Sequence, residues 1–293
     1  ARQSLRRRNM SAFKDHFFQT WDGLRLYARD YPGPDNSAPV VLCLHGLTRN
    51  SRDFQDLAPA LTVDFRVLVA EQRGRGRSDY DDDASRYALL QYVEDMRGML
   101  SSLEIERVAI VGTSMGGLMT FALNALYPGL VTRAVINDIG PEIAEAGLNR
   151  IKSYVGMVGP FADWGEATVY LKSASIEIFP DWRDSQWEDF ARQCYVERDG
   201  QVIVDYDPRI AEPLAAESND TEAGTLWSLF AAMSAVPSLL IRGDLTDLLT
   251  ESCVAKMREV HPDMAVLSVS RVGHAPMLNE SGVIEAIRGF LTA

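Results

Sequence analysis

The chain has 293 residues, 46% of them hydrophobic and 24% charged, enough apolar material for a packed core and unlike disordered, collagen-like or coiled-coil chains. Lysine plus arginine number 29 against 41 aspartates and glutamates, a net charge of −12. That balance argues against nucleic acid as a partner, because such binding is driven by basic groups that displace counterions. At about 150 residues per domain, the length allows two units, or one α/β domain with an insertion.

The basic run Arg6-Arg7-Arg8 is too short to reverse the acidic balance, and no apolar stretch follows it, so no signal peptide is expected. Asp22-Gly23 lies between HFFQTW and LRLYARDY and predicts a tight hairpin. VVLCLH (Val40–His45) is a short apolar run of the kind buried on both faces of a sheet. Residues 65–70, 107–111, 131–137, 238–241 and 265–269 repeat that signature. Between them Leu89, Leu90, Val93, Met96, Leu100 and Leu103 recur at helical spacing, and 250–261 and 282–291 also read as helices. Strands alternating with helices predict an α/β fold with a mostly parallel sheet covered on both faces.

The alternation breaks from Pro141 to about Ala235. That segment carries four of the five tryptophans (Trp164, Trp182, Trp187, Trp227) and 17 acids against seven bases. It is expected to be a mainly helical cap, 141–235, on a core formed by 1–140 and 236–293. The tryptophans hold the cap together individually and collectively favour an aromatic-lined pocket for a small molecule. Cys43, Cys194 and Cys253 are sparse, odd in number and without a CxxC pair, which fits a reducing, cytoplasmic setting and buried thiols. The uncharged stretch 108–132 holds Ser114, Asn124, Pro128 and several glycines, too broken for a membrane span, so no membrane role is expected. The sequence carries no signal for oligomeric state.

The strongest motif is Gly112-Thr113-Ser114-Met115-Gly116-Gly117, a G-x-S-x-G after the strand RVAIV and before the helix LMTFALNALY. A strand turning sharply into a helix presents its middle hydroxyl beside the helix's first amides, which makes Ser114 the candidate nucleophile. A serine needs a base, and His274 in RVGHAPMLNE, just after the strand AVLSV, is the best placed of four histidines. His16 and His261 read as surface residues, and His45 as a structural hydrogen-bonding group. The imidazole needs a carboxylate, for which IRGDLTDLLT offers Asp247, the favoured residue, and Asp244; Asp138 in INDIGPE is a third possibility. The Leu47 and Met115 amides are the candidate oxyanion donors. No H-E-x-x-H, paired Cys or His, or Walker lysine is present, so neither metal nor cofactor is expected. Arg73, Arg75 and Arg77 read as loop-pinning or solvated groups in preference to a phosphate clamp.

HGLTRNSRDF, EQRGRGRSDY, GTSMGG, the acid loop and GHAPMLNE, in this order and spacing, resemble the α/β-hydrolase fold superfamily from about residue 15 to 293, and within it capped bacterial serine hydrolases. The resemblance implies a core sheet of about eight strands, a helical cap after the sixth, a triad matching Ser114, Asp247 and His274, and an oxyanion hole matching Leu47 and Met115. Two departures stand out: the acid loop Gly243–Asp247 is one residue longer than the usual G-x-x-D, and Glu71 replaces an aspartate common in relatives. Relatives with an aspartate nucleophile, the haloalkane dehalogenases and epoxide hydrolases, are disfavoured by Ser114. The expected activity is cofactor-independent hydrolysis of small, apolar or aromatic carboxylic esters. The alternatives are carbon–carbon cleavage of ring-fission diketones, lactone opening or acyl transfer, and outside enzymes a small-molecule receptor.

Overall fold

The structure, a computed structural model, describes residues 13–216 and 219–293; Arg6–Arg8 lies outside them. The chain opens with β1 (Lys14–Gln19) and β2 (Arg25–Tyr31), antiparallel and joined through Asp22-Gly23, where Gly23 takes the positive φ of a tight turn. Then follow β3 (Val40–Leu44), α1 (Leu57–Leu61), β4 (Arg66–Glu71), α2 (Leu89–Ser102), β5 (Val108–Thr113), α3 (Met115–Leu126) and β6 (Val131–Asn137). After an insertion the core closes with β9 (Ser238–Gly243), α9 (Glu251–Val260), β10 (Ala265–Val269) and α10 (Val283–Thr292). The eight strands lie in the order β1-β2-β4-β3-β5-β6-β9-β10, antiparallel at β1–β2 and β2–β4 and parallel elsewhere. Two apolar cores, one on each face, sandwich this sheet.

The apolar runs become strands because β3 to β6 are covered on both faces; Val41 to Leu44 and Val67 to Ala70 are wholly buried. The run at 265–269 departs from this: β10 is the sheet's edge, paired only with β9, and mostly exposed. In α2, Val93, Met96 and Leu100 are buried with Tyr92 and Met99, whereas Leu90 is 59% exposed. Leu90 stands about 120° round the axis from Met96, outside the stripe. His261, expected at the surface, is buried with Nε2 2.8 Å from the Val236 carbonyl oxygen, while His16 is half-buried in β1.

The insertion holds α4 (Glu145–Tyr154), α5 (Trp164–Ser175), α6 (Asp184–Cys194), a hairpin of β7 (Tyr195–Arg198) and β8 (Gln201–Val204), α7 (Ala211–Ala216) and α8 (Asn219–Ala231). The hairpin is absent from the mainly helical expectation, although Asp199-Gly200, both at positive φ, marks its turn as Asp22-Gly23 marks the first. α8 packs on α3 of the core, with Phe121 and Phe230 edge to face at 5.2 Å and Asn124 donating to the Ala232 carbonyl. Cys43, Cys194 and Cys253 are free and buried. Among the described residues no helix is long and apolar enough to cross a membrane, and no cluster of three or more metal-ligating side chains occurs.

Candidate active site

The site lies where β3, β5 and β6 end. Strand β5 turns into α3 at Ser114, which takes φ +52° and ψ −116°, a strained conformation for a residue with a side chain. The turn is so tight that a Cβ on Gly112 would lie 2.3 Å from the Gly116 carbonyl oxygen, and one on Gly116 would lie 2.2 Å from the Leu44 carbonyl oxygen. The two glycines of the motif are therefore spatial requirements of close backbone approach. Ser114 N donates to the Asn137 carbonyl, and its own carbonyl accepts from Gly117 and Leu118.

His274 lies on the loop after β10, with Nε2 2.9 Å from Ser114 Oγ. Its Nδ1 is 3.0 Å from Asp138 Oδ2, and Asp138 is fully buried. The sequence reading favoured Asp247 for this place; the structure puts Asp138 there. The reason is strand order. β6 adjoins β5, so the residue after β6 lies next to the residue after β5, whereas β9 is one strand further away. The chain bends at Asp138 (φ +57°), whose amide donates to the Ile241 carbonyl and whose Oδ1 accepts from Gly243 N at 3.0 Å. These backbone partners and the imidazole are what a buried carboxylate requires. Asn137, one residue earlier, donates to the Pro276 carbonyl at 2.8 Å and ties the histidine loop to the same strand end.

Asp247 instead receives Nε and Nη2 of Arg150, from α4 of the insertion, at 2.6 and 2.7 Å. Burial opposes its charge, but the Arg150 guanidinium holds its carboxyl below the usual aspartate value. The Asp247 and Leu248 carbonyls accept from Gly147 and Ala144, so this loop docks the insertion. Asp244 accepts from Arg271 N at 2.6 Å and caps its own loop. The signal for Asp138 is present in INDIGPE: an aspartate directly after the buried end of a core strand, Ala134 to Asn137, must find a partner.

The Leu47 and Met115 amides both lie beside Ser114 and, among the described residues, donate to no protein group. The Gly46–Leu47 peptide is held through its carbonyl, which accepts from Arg49 N at 3.1 Å and lies 2.7 Å from His45 Nδ1. In a trans peptide the N–H points the opposite way, so fixing the Gly46 oxygen aims the Leu47 amide. His45 Nε2 accepts from Gln72 N at 3.1 Å, which leaves the proton on Nδ1 to donate to Gly46. Burial pushes the His45 pKa down to about 4, keeping the ring neutral as this arrangement demands. Arg75 donates Nε to the Leu47 carbonyl and Nη1 to Tyr92 and the Arg73 carbonyl. Arg73 is buried among Asp22, Asp81 and Asp95, and Arg77 pairs with Asp15, so all three arginines pin loops. Glu71 accepts from Ser51 and Arg77 N, while a Cβ on Gly76 would meet its carboxylate at 2.1 Å.

The cavity over Ser114 and His274 is aromatic, with Phe54, Tyr154, Tyr170, Phe179, Phe190, Tyr195 and Tyr206 among its lining and, among the described residues, no tryptophan. Trp182 stacks behind Phe179 at 3.7 Å, and the fully buried Trp187 packs edge-on to both, so these indoles buttress the wall.

Residues 39–279 match the model of the alpha/beta hydrolase fold family. The chain is 34% identical to a 3-hydroxybutyrate-oligomer hydrolase of Cupriavidus necator, over 92% of this chain and 94% of that one. It is 28% identical to a 2-(acetamidomethylene)succinate hydrolase of Mesorhizobium japonicum, over 88% and 89% of the two chains. The crystal structure of an alpha/beta hydrolase from Novosphingobium aromaticivorans superposes with a TM-score of 0.90 at 41% identity, covering 97% of this chain and 99% of that one. An eight-stranded sheet with the tight strand-to-helix turn at Ser114 after β5, matched along most of the chain by that family and its relatives, makes this protein a member of the α/β-hydrolase fold family.

Proposed function

We propose that this hydrolase is a cofactor-independent serine esterase acting on small carboxylic esters, with Asp138 as the acid of its triad. The observation that carries the reading is the unbroken relay from Ser114 Oγ through His274 to Asp138 Oδ2. His274 Nε2 takes the hydroxyl proton as Oγ attacks the ester carbon, and Asp138 orients the ring and offsets the imidazolium charge. The Leu47 and Met115 amides, without a partner among the described residues, receive the oxyanion. Collapse breaks the carbon–oxygen bond, and the proton on Nε2 passes to the leaving alkoxide. Water then attacks the acyl-enzyme and gives its proton to His274, and Oγ recovers that proton as the free acid leaves. No step needs a metal or a redox group. The insertion acts as a cap that limits water and selects substrate.

The relative named as a 3-hydroxybutyrate-oligomer hydrolase supports esters of short aliphatic hydroxyacids as the substrate class. The test is hydrolysis of chromogenic esters of graded acyl length by the wild type and by Ser114→Ala. We expect turnover of short acyl chains and a loss of several orders of magnitude in the variant. Retained activity in Ser114→Ala would overturn the mechanism. Labelling of Ser114 by a fluorophosphonate without ester turnover would redirect the search to lactones and ring-fission diketones.

A further inference from the structure

Ser114 stands at the junction of two cavities. One extends past His274 and Pro276 to Tyr154, Phe179 and Phe190. The other extends past Met115 and Leu118 to Ile139, Leu148 and Leu214. Among the described residues only Leu47, Ser114 and Ile151 line both. An ester bonded to Ser114 at its carbonyl carbon has two arms, and the junction supplies one cavity for each.

Proton transfer decides which arm goes where. The leaving oxygen must come within hydrogen-bond reach of His274 Nε2, the only source of its proton. His274 lines the first cavity and not the second, so the alcohol arm lies in the first and the acyl arm in the second. The two differ in chemistry. The acyl side is chiefly aliphatic, and of its two charged lining residues Glu142 is already held by Lys256 at 2.8 Å and Trp227 Nε1 at 3.1 Å. The alcohol side contains two guanidinium groups, Arg49 and Arg150.

These two arginines are not equally available. Arg49 gives Nε and Nη2 to Asp53 and Nη1 to Cys194 Sγ, with its guanidinium 4.6 Å from the centre of the Phe190 ring. Arg150 spends only the Nε–Nη2 edge on Asp247, and its Nη1 has no partner among the described residues. The free edge of a guanidinium matches a carboxylate, and Asp247 holds the group in place. We propose that the alcohol released into the His274 cavity is a hydroxyacid whose carboxylate is bound by Arg150, while an aliphatic acyl group occupies the Met115 cavity.

The inference rests on the esterase reading and adds direction to it. The bond from Oγ to the acyl carbon forms and the ester carbon–oxygen bond breaks. The leaving oxygen takes the proton from Nε2, and the hydroxyacid departs with its carboxylate unchanged. An oligoester of hydroxyacids would therefore lose its carboxyl-terminal unit first.

The experiment compares 3-acetoxybutyrate with its neutral carboxamide, and each with the butyryl analogue, in wild type, Arg150→Met, Arg150→Lys and Lys152→Met. In the wild type, kcat/KM should favour the free acid by about tenfold or more, the range of a charged hydrogen-bonded pair. Arg150→Met should bring that ratio near one, chiefly through KM, and Arg150→Lys should restore part of it. Leu148→Phe should shift acyl preference from butyryl to acetyl with the acid-to-carboxamide ratio retained. A wild-type ratio near one overturns the proposal, and so does a ratio that depends on Lys152, which lines the acyl cavity. If Arg150→Met does not fold, the wild type and Arg150→Lys decide the question. Consumption of none of these esters, nor of p-nitrophenyl acetate, would instead overturn the esterase reading itself.

Discussion

The strand ends of the core and the insertion above them are held together by different forces. At the strand ends the contacts are buried and polar: Asp138 between Gly243 N and His274, His45 between Gly46 and Gln72, Arg73 among three aspartates. In the insertion they are stacked rings, such as Phe179 on Trp182, and exposed ion pairs, such as Lys172 with Asp184. Directional hydrogen bonds hold Ser114, His274 and the Leu47 amide in register, as the proposed chemistry requires. Ring packing makes a wall whose shape can vary without disturbing that register.

The largest expected effects fall on the core side. Asp138→Asn should lower kcat by about 10³ to 10⁴, the loss known when the carboxylate behind a triad histidine is neutralised. Asp247→Asn should cost far less and act mainly on KM, because its partner is Arg150. Steady-state kinetics of the pair decides between the two acids, and equal losses would dissolve the distinction between core chemistry and docking loop.

Trp187→Ala should lower stability by about 3–5 kcal/mol, as expected for emptying a fully buried indole site. Hydrogen exchange should place the lost protection in α5 and α6, with β3 to β6 retaining theirs. Uniform loss would mean that the two regions unfold as one.

A pH titration probes the core again. The buried His45 titrates near 4 against an ordinary value of 6.5, so its unfolded form takes up protons first as pH falls. The stability is therefore fully present above 6.5 and declines as pH falls towards 4, by about 3 kcal/mol in all. Denaturant midpoints measured across that range check the slope, and His45→Gln should flatten it. The smallest effect is expected where the insertion meets the histidine loop through Arg271 and Asp181, both well exposed. Arg271→Ala should leave the thermal midpoint within error, since solvent and salt screen such pairs.

Much of this was legible in the residues. The short apolar runs of β3 to β6 read as strands covered on both faces, and G-x-S-x-G between a strand and a helix reads as a tight turn, as Gly112 and Gly116 show by their closeness to backbone oxygens. His274, Leu47 and Met115 read as candidates because each lies shortly after the end of a core strand, β10, β3 and β5 in turn. Two departures share a cause. The run at 265–269 repeats the buried-strand signature yet β10 is an exposed edge, and His261 reads as a surface residue yet is buried, because local pattern says nothing about what packs from elsewhere. The Asp199-Gly200 turn, by contrast, is a local signal, the same Asp-Gly pair that marks the first hairpin.

The sequence by itself determined the layered sheet and the tight turn at Ser114, because these depend on periodicity and on residues adjacent in the chain. Which aspartate lies behind His274 was decided by tertiary structure alone. Asp138 and Asp247 both follow core strands, and what separates them is which strand lies beside β5 and where Arg150 of the insertion comes down. The two arms of the cavity were decided in the same way, since strand order and the docking of the insertion are properties of contacts between residues far apart in the chain.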